Sequence, residues 1–272
     1  MNKMKSHQID YHESESENVI IVGAFHEIIE LVEDNGIEII GMIDNERTES
    51  YRDYKIFCND HGAQNLPDKL KKIPILITPD KPQLRQKLHN YYENSGFHFF
   101  SLISKRSIIS KSSAIGKGTI VQSEVNVSAE CNIGKFVKLN TFCNIMHNSI
   151  IEDYTTIAPN AVLLGNVKTG KLCYIGSNAT ILPNICICDN VVVGAGAVVT
   201  KDITTPGTYV GVPARLLKDI WNFLWLTINI GHLACRAKFE ISTINKIYIG
   251  LKGSSFEMPN AQYSIRCVSL NK

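Results

Sequence analysis

Three short stretches of this chain carry residue types that could do chemistry. His147 is the only histidine between Ile103 and Val199, and an imidazole titrates close enough to neutrality to take up or return a proton. An exposed corner histidine is the plain alternative. Gly23-Ala24-Phe25-His26 follows an apolar run and opens an amphipathic one. It is a strand-to-helix turn that could face a nucleotide, yet it is not a GxGxxG loop, and an ordinary turn explains it equally well. Asp44-Asn45 closes a second apolar run, where the acid could bind a ribose or sugar hydroxyl or simply solvate a turn. Of the eight cysteines none forms a CxxC pair, and a CxC in a strand sends Cys186 and Cys188 to opposite faces. No metal site is expected.

The frame for His147 is a period of six. In steps of six from Ile103 to Val199, sixteen of seventeen positions are aliphatic over 97 residues, Thr169 being the exception. Two places earlier, from Ser107 to Ala197, the residues are small or β-branched and include Cys131, Cys143 and Cys173. One large and one small inward position per six residues fits short strands around a narrow interior, a β-solenoid with three sides per coil. In the small slot a thiol packs as a compact hydrophobe. Glycine follows the residue of that row at 116, 134, 170, 176 and 194, where a backbone corner would favour it. His147 stands two residues past an inward position, so its side chain should leave the coil.

The flanks read differently. Val19–Val22, Ile37–Ile43, Ile73–Thr78 and Phe97–Leu102 read as strands, with helices over Glu27–Glu33 and Gln83–Tyr92; this alternation argues a small parallel α/β domain. The expected organisation is a polar segment over 1–18, a Rossmann-like domain over 19–102, a β-helix over 103–217, and an extension of unknown role over 218–272. The apolar stretch Ile220–Ile230, with Trp221 and Trp225, is too short to span a bilayer; packing on the solenoid or a neighbour is favoured over membrane contact. Lys and Arg number 28 against 26 Asp and Glu, which gives no footprint for nucleic acid. The first 18 residues hold no apolar signal core, so a cytoplasmic protein is expected.

The run Val192-Val193-Gly194-Ala195-Gly196-Ala197-Val198-Val199-Thr200-Lys201-Asp202, followed by Gly211-Val212-Pro213-Ala214, resembles the hexapeptide-repeat acyltransferases. With the α/β domain in front, the chain is most similar to bacterial sugar acetyltransferases: the sialic-acid O-acetyltransferase-like group and the N-acetyltransferases of nucleotide-linked amino sugars. The likeness spans roughly residues 18–217. It implies a left-handed parallel β-helix, a homotrimer with sites between subunits, acetyl-CoA as co-substrate without a metal, and acetylation of an amine or hydroxyl of a nucleotide-activated sugar in surface-glycan synthesis. A zinc enzyme of this fold needs several coil histidines, and one does not suffice.

By the same resemblance His147 is the general base. Asn148 replaces an acidic residue that raises the histidine's basicity in relatives; an amide can orient the ring but adds no charge. Gly165 matches a glycine whose N–H faces the thioester carbonyl. Ser177 and Ala195 match backbone contacts to CoA, and Thr156 replaces a second histidine at the cofactor. Asn140 matches a position near the acceptor sugar. The glycine-rich loop of relatives is shortened here to Gly23-Ala24-Phe25-His26, which with Asp44-Asn45 remains the expected acceptor contact. Free sialic acid or another small alcohol as acceptor, or a non-catalytic scaffold or sugar-nucleotide sensor, are the alternatives.

Overall fold

Val19 to Val22 are apolar on both faces of one strand, which requires cover on both sides. In the computed structural model, residues 18–217 and the short strands Ile241–Ser242 and Ser264–Ile265 are described. Strand β1 (Asn18–Val22) pairs in parallel with β2 (Glu38–Ile43) on one side and β5 (Ile75–Ile77) on the other. Val19 and Ile21 pack on helix α1 (His26–Asp34) through Ile28, Leu31 and Val32. Ile20 and Val22 face helix α4 (Pro82–Asn94) through Leu88 and Tyr92. Residues 44–72, for which the sequence suggested no element, contribute β3 (Ser50–Tyr51), β4 (Tyr54–Cys58) and two one-turn helices, α2 (Asp60–Ala63) and α3 (Asp68–Lys71). The sheet order is β3-β4-β2-β1-β5.

The expected fourth strand over Phe97–Leu102 is not a single element. Phe99 makes only a bridge to Ile75, whereas Leu102–Ile103 pairs with Ile120–Val121 and is the first strand of the coils. From there the chain winds as a three-sided parallel β-helix in which each two-residue strand pairs with the one eighteen residues on, as Asn126–Val127 with Asn144–Ile145. The first side carries Leu102–Ile103, Lys138–Leu139 and Tyr174–Ile175, the second Asn144–Ile145 and Val162–Leu163, the third Ile133 and Ile151. The inward aliphatics and the small inward residues form one core. Cys131, Cys143 and Cys173 are buried there; burial pushes the Cys173 thiol up to about 11.

The corners correct one expectation. The residue in the left-handed region is not the glycine after the aliphatic residue but the one three places past it: every sixth residue from Glu124 to Asn190 has φ between 52° and 63°, half of them asparagine. Gly116, Gly134, Gly170 and Gly176 serve close approach instead, since a Cβ on each would meet the next coil at 2.3–2.7 Å. Thr169, the exception in the aliphatic row, points a buried hydroxyl into the core with no hydrogen-bond partner among the described residues.

The α/β layer lies on the first side of the coils. Outward residues Leu102 and Ile120 join the α1 core. Further along, Arg85 of α4 is buried and donates to the carbonyls of Pro79, Phe136 and Tyr154 at 2.6–2.7 Å, and to Thr156 Oγ1 at 2.9 Å. Desolvation lowers its guanidinium to about 10 against the opposing charge of Asp80, yet it stays charged. Beside it His89 bonds Tyr154 Oη at 2.7 Å and lies against Phe136. The predicted segment 1–18, apart from Asn18, and the predicted helix with Trp221 and Trp225 fall outside the described residues. Lys218–Lys272 form a second unit, in which Ile241–Ser242 pairs antiparallel with Ser264–Ile265.

Candidate active site

The residue two places past the inward aliphatic stands at the corner of the coil, and from Glu124 to Asn190 the next one turns the chain back in the left-handed region. His147 and Asn148 hold these places after Ile145, Asn148 at φ 60°, so the asparagine first answers a backbone requirement. Its amide oxygen stands 2.9 Å from His147 Nδ1. An amide oxygen only accepts, so the neutral tautomer that fits this contact has its proton on Nδ1 and a lone pair on Nε2. Both side chains are exposed. One coil on, Gly165 lies under the ring: a Cβ there would stand 2.6 Å from His147 Cε1 and 2.7 Å from Nε2. The Asn166 N–H donates to His147 O at 2.9 Å and fixes the stacking. The equivalent amides of Lys135 and Lys171, on another corner, are taken by Asp153 and Asp189. The Gly165 N–H has no partner among the described residues. A ring nitrogen with a lone pair can accept a proton from a nucleophile, and a backbone amide on the adjoining coil can donate to an oxygen gaining charge.

A second feature opens at the carboxyl ends of β1, β2 and β5, where ligands bind in open α/β sheets. This cleft of ≈ 300 Å³ is lined by Gly23, Ala24, Phe25, Asp44 and Asn45 together with Asp60, Thr78, Asp80 and Lys138. Gly23 has φ +86°, and a Cβ on it would stand 2.8 Å from Thr78 Oγ1, which donates to Gly23 O. Asp44 is a brace: it accepts the N–H groups of Ala24, Glu46 and Arg47 at 2.7–2.9 Å. Burial alone would raise its carboxyl, but those three bonds and Arg47 outweigh it and hold the carboxyl below the usual range. Asn45 bridges to Asp60 at 2.6 Å.

Several expected site residues stand elsewhere. His26 is exposed and outside the cleft lining. Thr156 is fully buried, donating to Asp80 O at 2.6 Å and accepting from Arg85; it anchors the α/β layer and offers no face to a cofactor. Asn140 is buried too, its amide donating to Ile157 O at 3.1 Å, away from the cleft. Ser177 and the exposed Ala195 follow strands of the first side, one corner before the edge that carries His147. The sequence reading missed Lys138, Asp80 and Asp60. Lys138 sits at an outward place of the six-residue period, the one signal available, and such a lysine ordinarily faces water.

The coils match the family model described as bacterial transferase hexapeptide (six repeats) over residues 130–165 and 166–201. Residues 130–201 thus carry hexapeptide repeats of the kind that model describes. The hexapeptide-repeat chain is similar to two solved structures along nearly their whole length. One is the acetyltransferase domain of PglB from Neisseria gonorrhoeae, at 25% identity and TM-score 0.70, covering 74% of this chain and 100% of that one. The other is WeeI from Acinetobacter baumannii, at 26% and 0.68, covering 73% and 99%. It also shares the fold of GDP-perosamine N-acetyltransferase from Caulobacter crescentus, solved with CoA and GDP-perosamine, at 24% identity and TM-score 0.70 over 73% of this chain and 96% of that one. The architecture is a left-handed β-helix behind an α/β layer. Among curated proteins, UDP-3-O-acylglucosamine N-acyltransferase of Bordetella avium is 38% identical over 79 residues, 29% of this chain and 22% of that protein. Galactoside O-acetyltransferase of Escherichia coli is 34% identical over 97 residues, 26% of this chain and 48% of that protein. The chain thus spans between about a fifth and about half of the curated relatives it matches. Among the described residues no helix is long and apolar enough to cross a membrane.

Proposed function

We propose that this chain transfers an acetyl group from acetyl-CoA to an amine of a nucleotide-activated sugar. The observation that carries the reading is the corner at His147, where Asn148 orients the ring and Gly165 of the next coil lies under it. Acetyl-CoA supplies the acyl group as a thioester. Nε2 of His147 takes the proton of the attacking amine as the new N–C bond forms, Asn148 holding the ring. The Gly165 N–H donates to the carbonyl oxygen as it gains negative charge. As the C–S bond breaks, the proton on His147 passes to the departing thiolate, giving an N-acetyl sugar and the free thiol.

Small side chains at Ser177 and Ala195 leave backbone accessible for a cofactor. They stand on a different edge from His147, so a site using both edges needs a second copy, and a homotrimer with shared sites is the assembly proposed. The cleft at Gly23, Ala24, Phe25, Asp44 and Asn45 is the proposed acceptor site, and the cytoplasm the proposed location.

Free-thiol release from acetyl-CoA with a panel of UDP-, GDP-, dTDP- and CMP-sugars, beside the solution mass by light scattering, tests the reading. Turnover with one amino sugar by a trimer is expected. Turnover only with free sugars or small alcohols would overturn the acceptor, and a chain that neither binds CoA nor releases thiol would overturn the activity.

A further inference from the structure

Along the outward row of the first side, Leu102 and Ile120 are apolar and buried, and the next residue in the ladder is Lys138, buried to 1%. An apolar side chain would continue that row without taking an ammonium out of water, a transfer that costs stability unless partners compensate. Lys138 has three N–H donors. Two are used, on Thr78 O at 2.8 Å and Asp80 Oδ1 at 2.9 Å. The side chain also lines the cleft, so the third donor is the one a ligand can take.

The partner carboxylate is the half that can move. Asp80 is 48% exposed and can turn to water, whereas Lys138 is fixed by its surroundings. Asp44 and Asp60 are already held, Asp44 by three backbone N–H groups and Asp60 by Asn45 and Tyr92. Phe25, 5.3 Å from the ammonium, is also the N-cap of α1 and makes no side-chain capping bond, so the positive end of that helix adds to the same field. A buried ammonium with a spare donor and a displaceable counter-ion fits an anionic ligand group.

We propose that Lys138 recognises the phosphate of the activated-sugar acceptor, its third donor bonding a phosphate oxygen as the Asp80 carboxylate turns to water. The proposal rests on the reading of the cleft as the acceptor site. Titration calorimetry of the full chain with GDP, UDP, dTDP and CDP, each beside its unphosphorylated nucleoside, tests it in wild type, Lys138→Met and Asp80→Asn. One diphosphate is expected to bind. Lys138→Met should weaken it about tenfold or more while nucleoside affinity holds, and Asp80→Asn should tighten it severalfold. Equal diphosphate affinity in all three proteins would overturn the proposal and leave the acceptor site standing. No binding of any diphosphate by wild type would overturn both. If Lys138→Met does not fold, Asp80→Asn decides, and unchanged or weaker binding there overturns the role of Lys138.

Discussion

His147 stands at a corner whose geometry is repeated at every turn of the coil, whereas the cleft beside Lys138 is assembled from stretches as far apart as Gly23 and Lys138. At the corner, one backbone path places the side chain and the neighbouring coil supplies the amide of Gly165. In the cleft, placement depends on individual long-range bonds: Asp44 to Ala24, Thr78 to Gly23, and Arg85 to carbonyls on both the α/β layer and the coils. A periodic frame therefore tolerates changes to the groups it displays. A cleft built from single contacts loses its shape when one of them is removed.

The largest test of that contrast is His147→Ala. Removal of an exposed base from a repeated corner should lower turnover by about 10²–10⁴-fold and leave the melting temperature unchanged; a parallel fall in thermal stability would make the corner structural. Arg85→Ala acts on the other region. Carbonyls of Pro79, Phe136 and Tyr154 lose a buried donor, and a loss of about 3 kcal/mol or more in denaturant unfolding is expected. Unchanged stability there would mean that the layer needs no such clamp. Gly165→Ala brings a methyl against the His147 ring. Displacing the ring should slow turnover by about 10²-fold with little change in substrate affinity, which steady-state kinetics would show.

Two smaller effects sharpen the comparison. Burial holds the His89 imidazole below its ordinary 6.5, with Lys117 and Lys135 pushing the same way and Glu93 opposing. Below 6.5 the unfolded chain takes up a proton that the folded one still refuses, so stability falls as pH drops below about 6.5. A His89→Phe variant should show a flatter melting temperature from about pH 7 to about pH 5, and an equal slope would place the acid sensitivity elsewhere. Thr169→Val replaces an unpartnered buried hydroxyl with a methyl. A gain of about 1 kcal/mol in unfolding free energy is expected, and a loss would show that the hydroxyl has a partner such as water.

The difference between the regions is also a difference in what could be read beforehand. The aliphatic period from Ile103 to Val199 already implied three-sided coils and a displayed His147, because a solenoid core is satisfied by neighbours at fixed spacing. It did not disclose why asparagine recurs at 148, 166 and 184; that answer lies in the left-handed backbone. The burial of Thr156 under α4 and of Asn140 in the coil is likewise invisible in a spacing.

By itself, then, the sequence determined the repeat, the strand–helix alternation ahead of it, and the single histidine at a corner, all features set by residues a few places apart. Only the tertiary structure decided that Lys138 faces a cleft and that Arg85 ties that cleft to the coils. The physical reason is that an outward lysine or a helical arginine reads as solvated until another layer of the fold excludes the water.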